Sequence, residues 1–438
     1  MTELEKVGNS TDAMSPNASL RTGNFKLTLV ACYVGYFVQA VNVNLLAVIF
    51  IPLRDQYGLT YAQFGTLVFL NFITQLLISV LFSKALDRIG TKPFIMPALC
   101  CCIAGLILFA LTPALFASNV FTGFLISLLL CAVGGGLLEL CLSPIVDAIP
   151  SDAADSSKAL AFLHSFYAWG QAAVVLITTV LLYVGVPWRV IVLLWIIVPA
   201  ADAALFARAP IAEQATGDNA APIRSLFRTG VFVIAIITVV FCGATETIIA
   251  QYASSFIDKG LGISKIAGDI LGLCGFALFL GAGRLIYGLF GDRLNIHKVL
   301  IGGSGLALAA YLVIVFSPAS APALPVIAIA FCGLFVSLLW PGTLSIASKG
   351  LPNAGASLFA LLAAAGSLGC SIGPWLSGVA TDLSMQWMPA GIAFGAGLYS
   401  FGAEQLGLRI GLLIGAFFPL ASLITQIVLM KSASQVEK

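Results

Sequence analysis

Cys131–Asp147 reads CAVGGGLLELCLSPIVD and sits inside an apolar run from about residue 121 to residue 149. A run of that length exceeds the ~20 residues needed to cross the hydrocarbon core of a bilayer, so it predicts a membrane-spanning helix. Glu139 stands in its middle. A carboxylate there is costly unless it has a partner or faces a water-filled space. Gly134, Gly135 and Gly136 lie about one turn before it, where a second helix or a ligand can approach the backbone closely.

The rest of the chain has the same character. Of 438 residues, 60% are hydrophobic and only 9% charged, with a mean hydropathy of +1.05. Soluble domains carry about 25% charged residues, so a soluble protein is excluded. Apolar segments fall at about 26–52, 61–83, 94–113, 121–149, 158–184, 188–207, 229–256, 264–290, 298–317, 323–348, 354–380 and 407–430. They predict an all-α integral membrane protein with twelve spans in two six-helix halves. The expected organisation is a tail at 1–25, one half at 26–207, a polar linker at 208–228, a second half at 229–430 and a tail at 431–438. Met1–Asn24 has no short apolar core, so no cleaved secretory leader is expected. The ten cysteines all lie in apolar segments without metal-ligand spacing and are read as free, packed thiols.

With the N-terminus inside, 16 of the 21 Lys and Arg fall on the inner side and 5 on the outer. That bias predicts a multi-pass plasma-membrane (cell inner membrane) protein with both termini cytoplasmic. Arg284 is counted here among the inner cations, and no Lys or Arg is expected near a span centre. Two inner turns repeat. Ser83–Pro93, SKALDRIGTKP, follows the second span, and Gly283–Lys298, GRLIYGLFGDRLNIHK, follows the eighth. Asp87, Arg88 and Lys92 in one turn, and Asp292 and Arg293 in the other, are candidates for conformational gating through charge pairs that form in one state and break in another. Ordinary charged loops are the competing reading, and two copies at matching positions favour gating.

The Asp-Arg-x-Gly-x-Lys turn and its weaker second copy, set in two six-span halves, resemble the major facilitator superfamily. Within it, LLELCLSPIVDAI in span four, KALAFLHSFYAWGQ in span five and CGATETIIAQY in span seven are similar to the fucose permease group of sugar:proton symporters. The sequence departs from that group at Ser143, where Asn usually precedes the proline, and at Val48, where some members place an acid in span one. The resemblance implies a cavity lined by spans one, four, seven and ten, and a sugar carried with a proton by alternating access.

Polar groups at membrane depth supply the candidate site. Glu139 in span four and Glu246 in span seven lie near span centres and are candidate proton-coupling groups, with Glu246 also a candidate substrate acceptor. Asp147 and Asp202 lie nearer the inner ends, within expected reach of water or Lys/Arg. Gln39, Asn42 and Asn44 in span one can donate to and accept from hydroxyls, as can Gln171 and Gln251. Amide pairing between helices is the competing reading, and it is preferred for Asn71 and Gln75 in span two. His164 is either a relay or a packing residue. Trp340, before Pro341, either stacks on a sugar ring or packs at a bend. Gly366–Gly378 in span eleven is read as a packing and bending element.

No phosphate loop, HExxH or Ser/His/Asp grouping is visible, so neither an enzyme nor an ATP-driven pump is expected. The expectation is a transporter for a small neutral solute, with the lipid bilayer as its surroundings and no nucleic-acid partner. No cofactor is expected; H⁺ is the coupling ion, with Na⁺ as the alternative, and the protein is expected to act as a monomer. The rival readings are a proton-driven exporter of cationic amphiphiles and a non-transporting solute sensor. The outer connection Gln386–Leu406 either lies along the interface or caps the outer mouth.

Overall fold

A computed structural model describes residues 25–149, 153–211, 226–351, 355–387, 393–394 and 399–436. Among them, eleven helices are long and apolar enough to cross a membrane. The helix Gly355–Trp387 completes the set of twelve. In chain order the spans are Lys26–Tyr57, Tyr61–Ile89, Lys92–Leu115, Val120–Asp147, Ala153–Tyr183 and Trp188–Phe206, then Gly230–Gly260, Lys265–Phe290, Ile296–Phe316, Ala323–Ser348, Gly355–Trp387 and Ala403–Ser432. The only strands among the described residues form a two-residue hairpin, Ala393–Phe394 with Tyr399–Ser400, inside the connection between spans eleven and twelve. Most of the 208–228 linker, the two tails up to residue 24 and from residue 437, and much of that connection lie outside the described residues.

Span one packs on spans four and five, and span three on spans four and six. In the second half, span seven packs on eleven and twelve, and span nine on ten and twelve. The halves meet along spans two and eleven and along spans five and eight. With an even number of spans, the chain enters span one and leaves span twelve on one face, here the terminal face; the opposite one is the distal face.

The three glycines before Glu139 let three neighbouring spans pack closely on span four. A methyl added at Gly134 would stand 2.5 Å from the Ala98 carbonyl oxygen of span three. At Gly135 it would stand 2.6 Å from Gln39 Oε1 of span one, and at Gly136 3.0 Å from Gln75 Cα of span two. Successive residues point about 100° apart on a helix, so one triplet admits three neighbours. At the end of span two, Gly90 adopts φ +76°, which lets the chain reverse into Lys92 and Pro93 at the start of span three.

Proline interrupts several spans. In span ten the helix stops at Val336 and resumes at Leu339. Pro341 lacks an N–H, so the Ser337 carbonyl four residues earlier is released. Spans six and twelve break in the same way, between Leu194 and Ile197 and between Gly415 and Phe417, ahead of Pro199 and Pro419. Span eleven keeps its helix through Pro374 and lies against span seven, where a methyl at Gly369 would fall 1.9 Å from the Val240 carbonyl. The expected packing role of its Gly-Pro element follows from this contact. All ten cysteines are free.

Candidate functional site

The polar residues expected at membrane depth separate into two layers. Nearer the distal face, the amides are buried: Gln39 and Asn42 are 5% exposed, Asn44 0%, and Gln171 and Gln251 1% each. Nearer the terminal face, Glu139 is half-buried and His164 is exposed. His164 shares a helix face with Tyr167 and Gln171, which turn into the bundle. Its exposure therefore marks a space between the helices, open towards the terminal face and closed where the amides begin.

The amide layer is largely a set of ties between helices. Gln39 Nε2 donates to Gln75 Oε1 at 3.5 Å, Gln75 donates to Asn71, and Asn71 donates to the Asn42 carbonyl at 3.5 Å. Asn42 donates to Cys102 Sγ at 3.1 Å, and Asn44 to the Tyr167 hydroxyl at 3.2 Å. Gln251 joins the halves by donating to the Val43 carbonyl at 3.2 Å. Among the described residues, each of Gln39, Asn42, Asn44 and Gln251 keeps a buried amide oxygen without a partner, as Gln171 keeps an amide nitrogen.

The two carboxylates differ. Glu139 makes no hydrogen bond or ion pair among the described residues. Glu246 is held by Arg284, whose Nη2 lies 3.2 Å from each carboxylate oxygen. Arg284 also donates through Nε, at 3.2 Å, to the Ser337 carbonyl that Pro341 sets free. This corrects the expectation that no cation stands near a span centre. Arg284 lies inside span eight, with its side chain 12% exposed, and not among the cations of the terminal-face loops. The residue was visible in the sequence; its depth was lost when it was counted with the loop charges.

Tyr36 joins the two sides of the space. Its hydroxyl lies 3.1 Å from Ser143 Oγ, its ring meets the His164 ring edge-on at 5.0 Å, and both Glu139 and Arg284 are within electrostatic reach of it. Tyr36 and Ser143 were not among the expected site residues. The replacement of Asn by Ser at 143 pointed to the position, but its partner is a matter of tertiary structure. Trp340 sits at the span-ten break and lies over Gly366, where a methyl would fall 2.1 Å from the indole. Its contact is that of an aromatic packed at a bend.

The distal face is shut by contacts between the halves. Arg54 at the end of span one lies 2.8 Å from Glu404 in the first turn of span twelve, which also accepts from the Tyr61 hydroxyl at 3.0 Å. Asp382 of span eleven accepts from the backbone N–H groups of Tyr61 at 3.2 Å and Ala62 at 2.6 Å, capping span two. Asp269 is fully buried where wide π-helical turns end span seven and open span eight. It accepts from Lys265 Nζ at 2.6 Å, from Thr179 Oγ1 of the other half at 2.9 Å, and from Ser254. Among the described residues, both ion pairs that join the halves, Arg54–Glu404 and Lys259–Asp55, lie on this face. On the terminal face, Arg88, Lys92 and Arg293 are exposed. The side chains of Asp87, Asp147 and Asp292 lie outside those described.

The family model of the Major Facilitator Superfamily matches residues 32–374. The chain belongs to the Major Facilitator Superfamily. Solved structures with the same fold include a bacterial homologue of the human lysosomal transporter Spinster in an inward-facing, occupied conformation. It shares 15% identity over 92% of this chain and 96% of its own, with a TM-score of 0.71. A D-xylose–proton symporter shares 16% identity over 90% and 96%, with a TM-score of 0.71. The E. coli fucose:proton symporter shares 18% over 93% and 99%, with a TM-score of 0.59. A comparison with curated proteins finds no match. This superfamily member therefore has the twelve-span, two-half transporter architecture expected from its sequence.

Proposed function

We propose that this superfamily member carries a small neutral polyhydroxylated solute, most simply a monosaccharide, into the cell together with a proton by alternating access. The observation that carries the reading is the asymmetry of the two carboxylates around one space. Among the described residues Glu139 has no partner, whereas Glu246 is neutralised by Arg284. A lone carboxylate beside a water-accessible space is suited to take up and release a proton. The Glu246–Arg284 pair offers acceptors and donors with no net charge, which suits hydroxyls.

In this reading Glu139 is the proton carrier. Glu246 and Arg284 hold the solute from the second half, and the orphaned amide oxygens of Gln39, Asn42, Asn44 and Gln251 receive hydroxyl protons from the distal side. With the termini cytoplasmic, the closed distal face is extracellular and the described state faces inward. The protein acts as a monomer in the plasma membrane. The printed descriptions of two structural neighbours, symporters of xylose and of fucose with protons, support the same solute class. Export of cationic amphiphiles fits less well, because Arg284 stands in the space that such a cation would enter.

The test is a thermal-shift panel of pentoses, hexoses and hydrophobic amines on purified protein, followed by uptake of the stabilising compound into proteoliposomes. The expected result is stabilisation by a sugar, with uptake driven by a proton gradient that is acidic outside. Stabilisation by amines alone, or uptake indifferent to the proton gradient, would sink the proposal.

A further inference from the structure

Asp202 lies on span six, away from the central space. It is fully buried, and neither of its carboxylate oxygens has a hydrogen-bond partner among the described residues. Its surroundings are an apolar cluster that includes Cys32, Leu99, Cys102, Leu142 and Phe206. A methyl added at Gly35 of span one would stand 3.2 Å from Asp202 Oδ2, so the side chain is pressed against bare backbone. The expectation that water or a cation reaches this residue is not met.

The other half shows how the same corner is filled when only packing is required. Pro199-Ala-Ala-Asp202 follows the break in span six, and Pro419-Leu-Ala-Ser422 follows the break in span twelve. Ser422 takes the place of Asp202, and Cys242 of span seven that of Cys32. Ser422 is satisfied there: its Oγ lies 3.0 Å from Ser304 Oγ and 3.5 Å from Cys242 Sγ. A hydroxyl fits this junction. A carboxylate with no donor is not explained by packing.

An ionised carboxylate buried without a partner costs several kcal/mol, far more than its protonated form. The titratable groups facing Asp202 are the thiols Cys32 on span one and Cys102 on span three, with Cys141 of span four beyond Cys32. On its own span the nearest charge is Arg208, which is exposed. No cation pairs with Asp202 among the described residues.

We propose that Asp202 is a second proton-binding site, separate from the central space, occupied by a proton whenever span six packs against span one as described here. Any conformation that admits water between these spans releases the proton, so proton binding at this corner favours the inward-facing packing. This inference needs no particular solute and stands apart from the role of Glu139.

The test compares wild-type protein with Asp202→Asn, which is neutral at every pH, and Asp202→Ser, which copies the second half. Infrared spectra of wild-type protein at neutral pH should contain a protonated-carboxyl C=O band that both variants lack. The melting temperature of the wild type should fall from mildly acidic to mildly alkaline pH by more than that of either variant. The sign follows because a proton held only by the packed state is lost as pH rises. Absence of a band assignable to Asp202, or coincident pH profiles for wild type and Asn variant, would overturn the proposal. If one variant does not fold, the other and the wild-type spectrum still decide it.

Discussion

The guanidinium of Arg284 and the carboxylate of Glu246 lie 3.2 Å apart inside the second half, both largely buried, and the same guanidinium caps the carbonyl released by Pro341. One side chain thus joins spans seven, eight and ten at the bend in span ten. In the proposed function this cross-brace keeps Glu246 as a hydrogen-bonding group and leaves proton exchange to Glu139.

Removing one member of this pair strands the other. Arg284→Gln or Glu246→Gln should each lower stability by about 3 kcal/mol, the low end for buried pairs because both side chains retain some exposure. The double variant Arg284→Gln with Glu246→Gln should recover part of that loss. Thermal unfolding of the four proteins as a double-mutant cycle checks this. Purely additive losses would mean that the contact carries no coupling.

The glycine triplet makes a ranked prediction. Gly134→Ala meets a backbone carbonyl that cannot move aside and should cost about 1–3 kcal/mol. Gly136→Ala meets Gln75 backbone at a longer distance and should cost less. Gly135→Ala meets only the tip of the Gln39 side chain and should cost least, despite lying in the middle of the triplet. Melting temperatures in one detergent give the order directly, and a largest loss at Gly135 would contradict the packing described.

Closure of the distal face rests on a few polar contacts, so it should be adjustable. Glu404→Gln removes the charge that Arg54 and the Tyr61 hydroxyl share. Each partly exposed contact contributes about 1 kcal/mol, so the distal-open population should rise roughly fivefold. A cysteine introduced at Thr66, in span two below this seal, should then react faster with an impermeant thiol reagent applied from the distal side. An unchanged rate would show that the seal lies elsewhere.

Much of this was legible in the residues themselves, for a physical reason. A bilayer demands long apolar helices, so twelve spans and the halves stand out in composition alone, and a carboxylate such as Glu139 is conspicuous because it is expensive. The break in span ten just ahead of Trp340–Pro341 follows from proline chemistry. What escaped was everything that depends on which helices become neighbours. Gln39 and Gln75 each had a readable helix face, but their joining into one chain of amides requires spans one and two to touch. Arg284 was credited to the positive-inside bias although it lies six residues before the end of its helix, and Asp202 was expected to meet water. In both cases depth along the span, not residue type, was the missing quantity.

Proton coupling through Glu139 is the centre of the account, and Glu139→Gln tests it most directly. Proteoliposomes loaded with a pH-sensitive dye report solute-driven proton entry, and labelled solute reports counterflow in the same preparation. The account predicts that Glu139→Gln keeps counterflow within a few-fold of wild type while solute-driven proton entry and uphill accumulation are lost. A variant that still accumulates solute against its gradient, with wild-type proton entry, would contradict it.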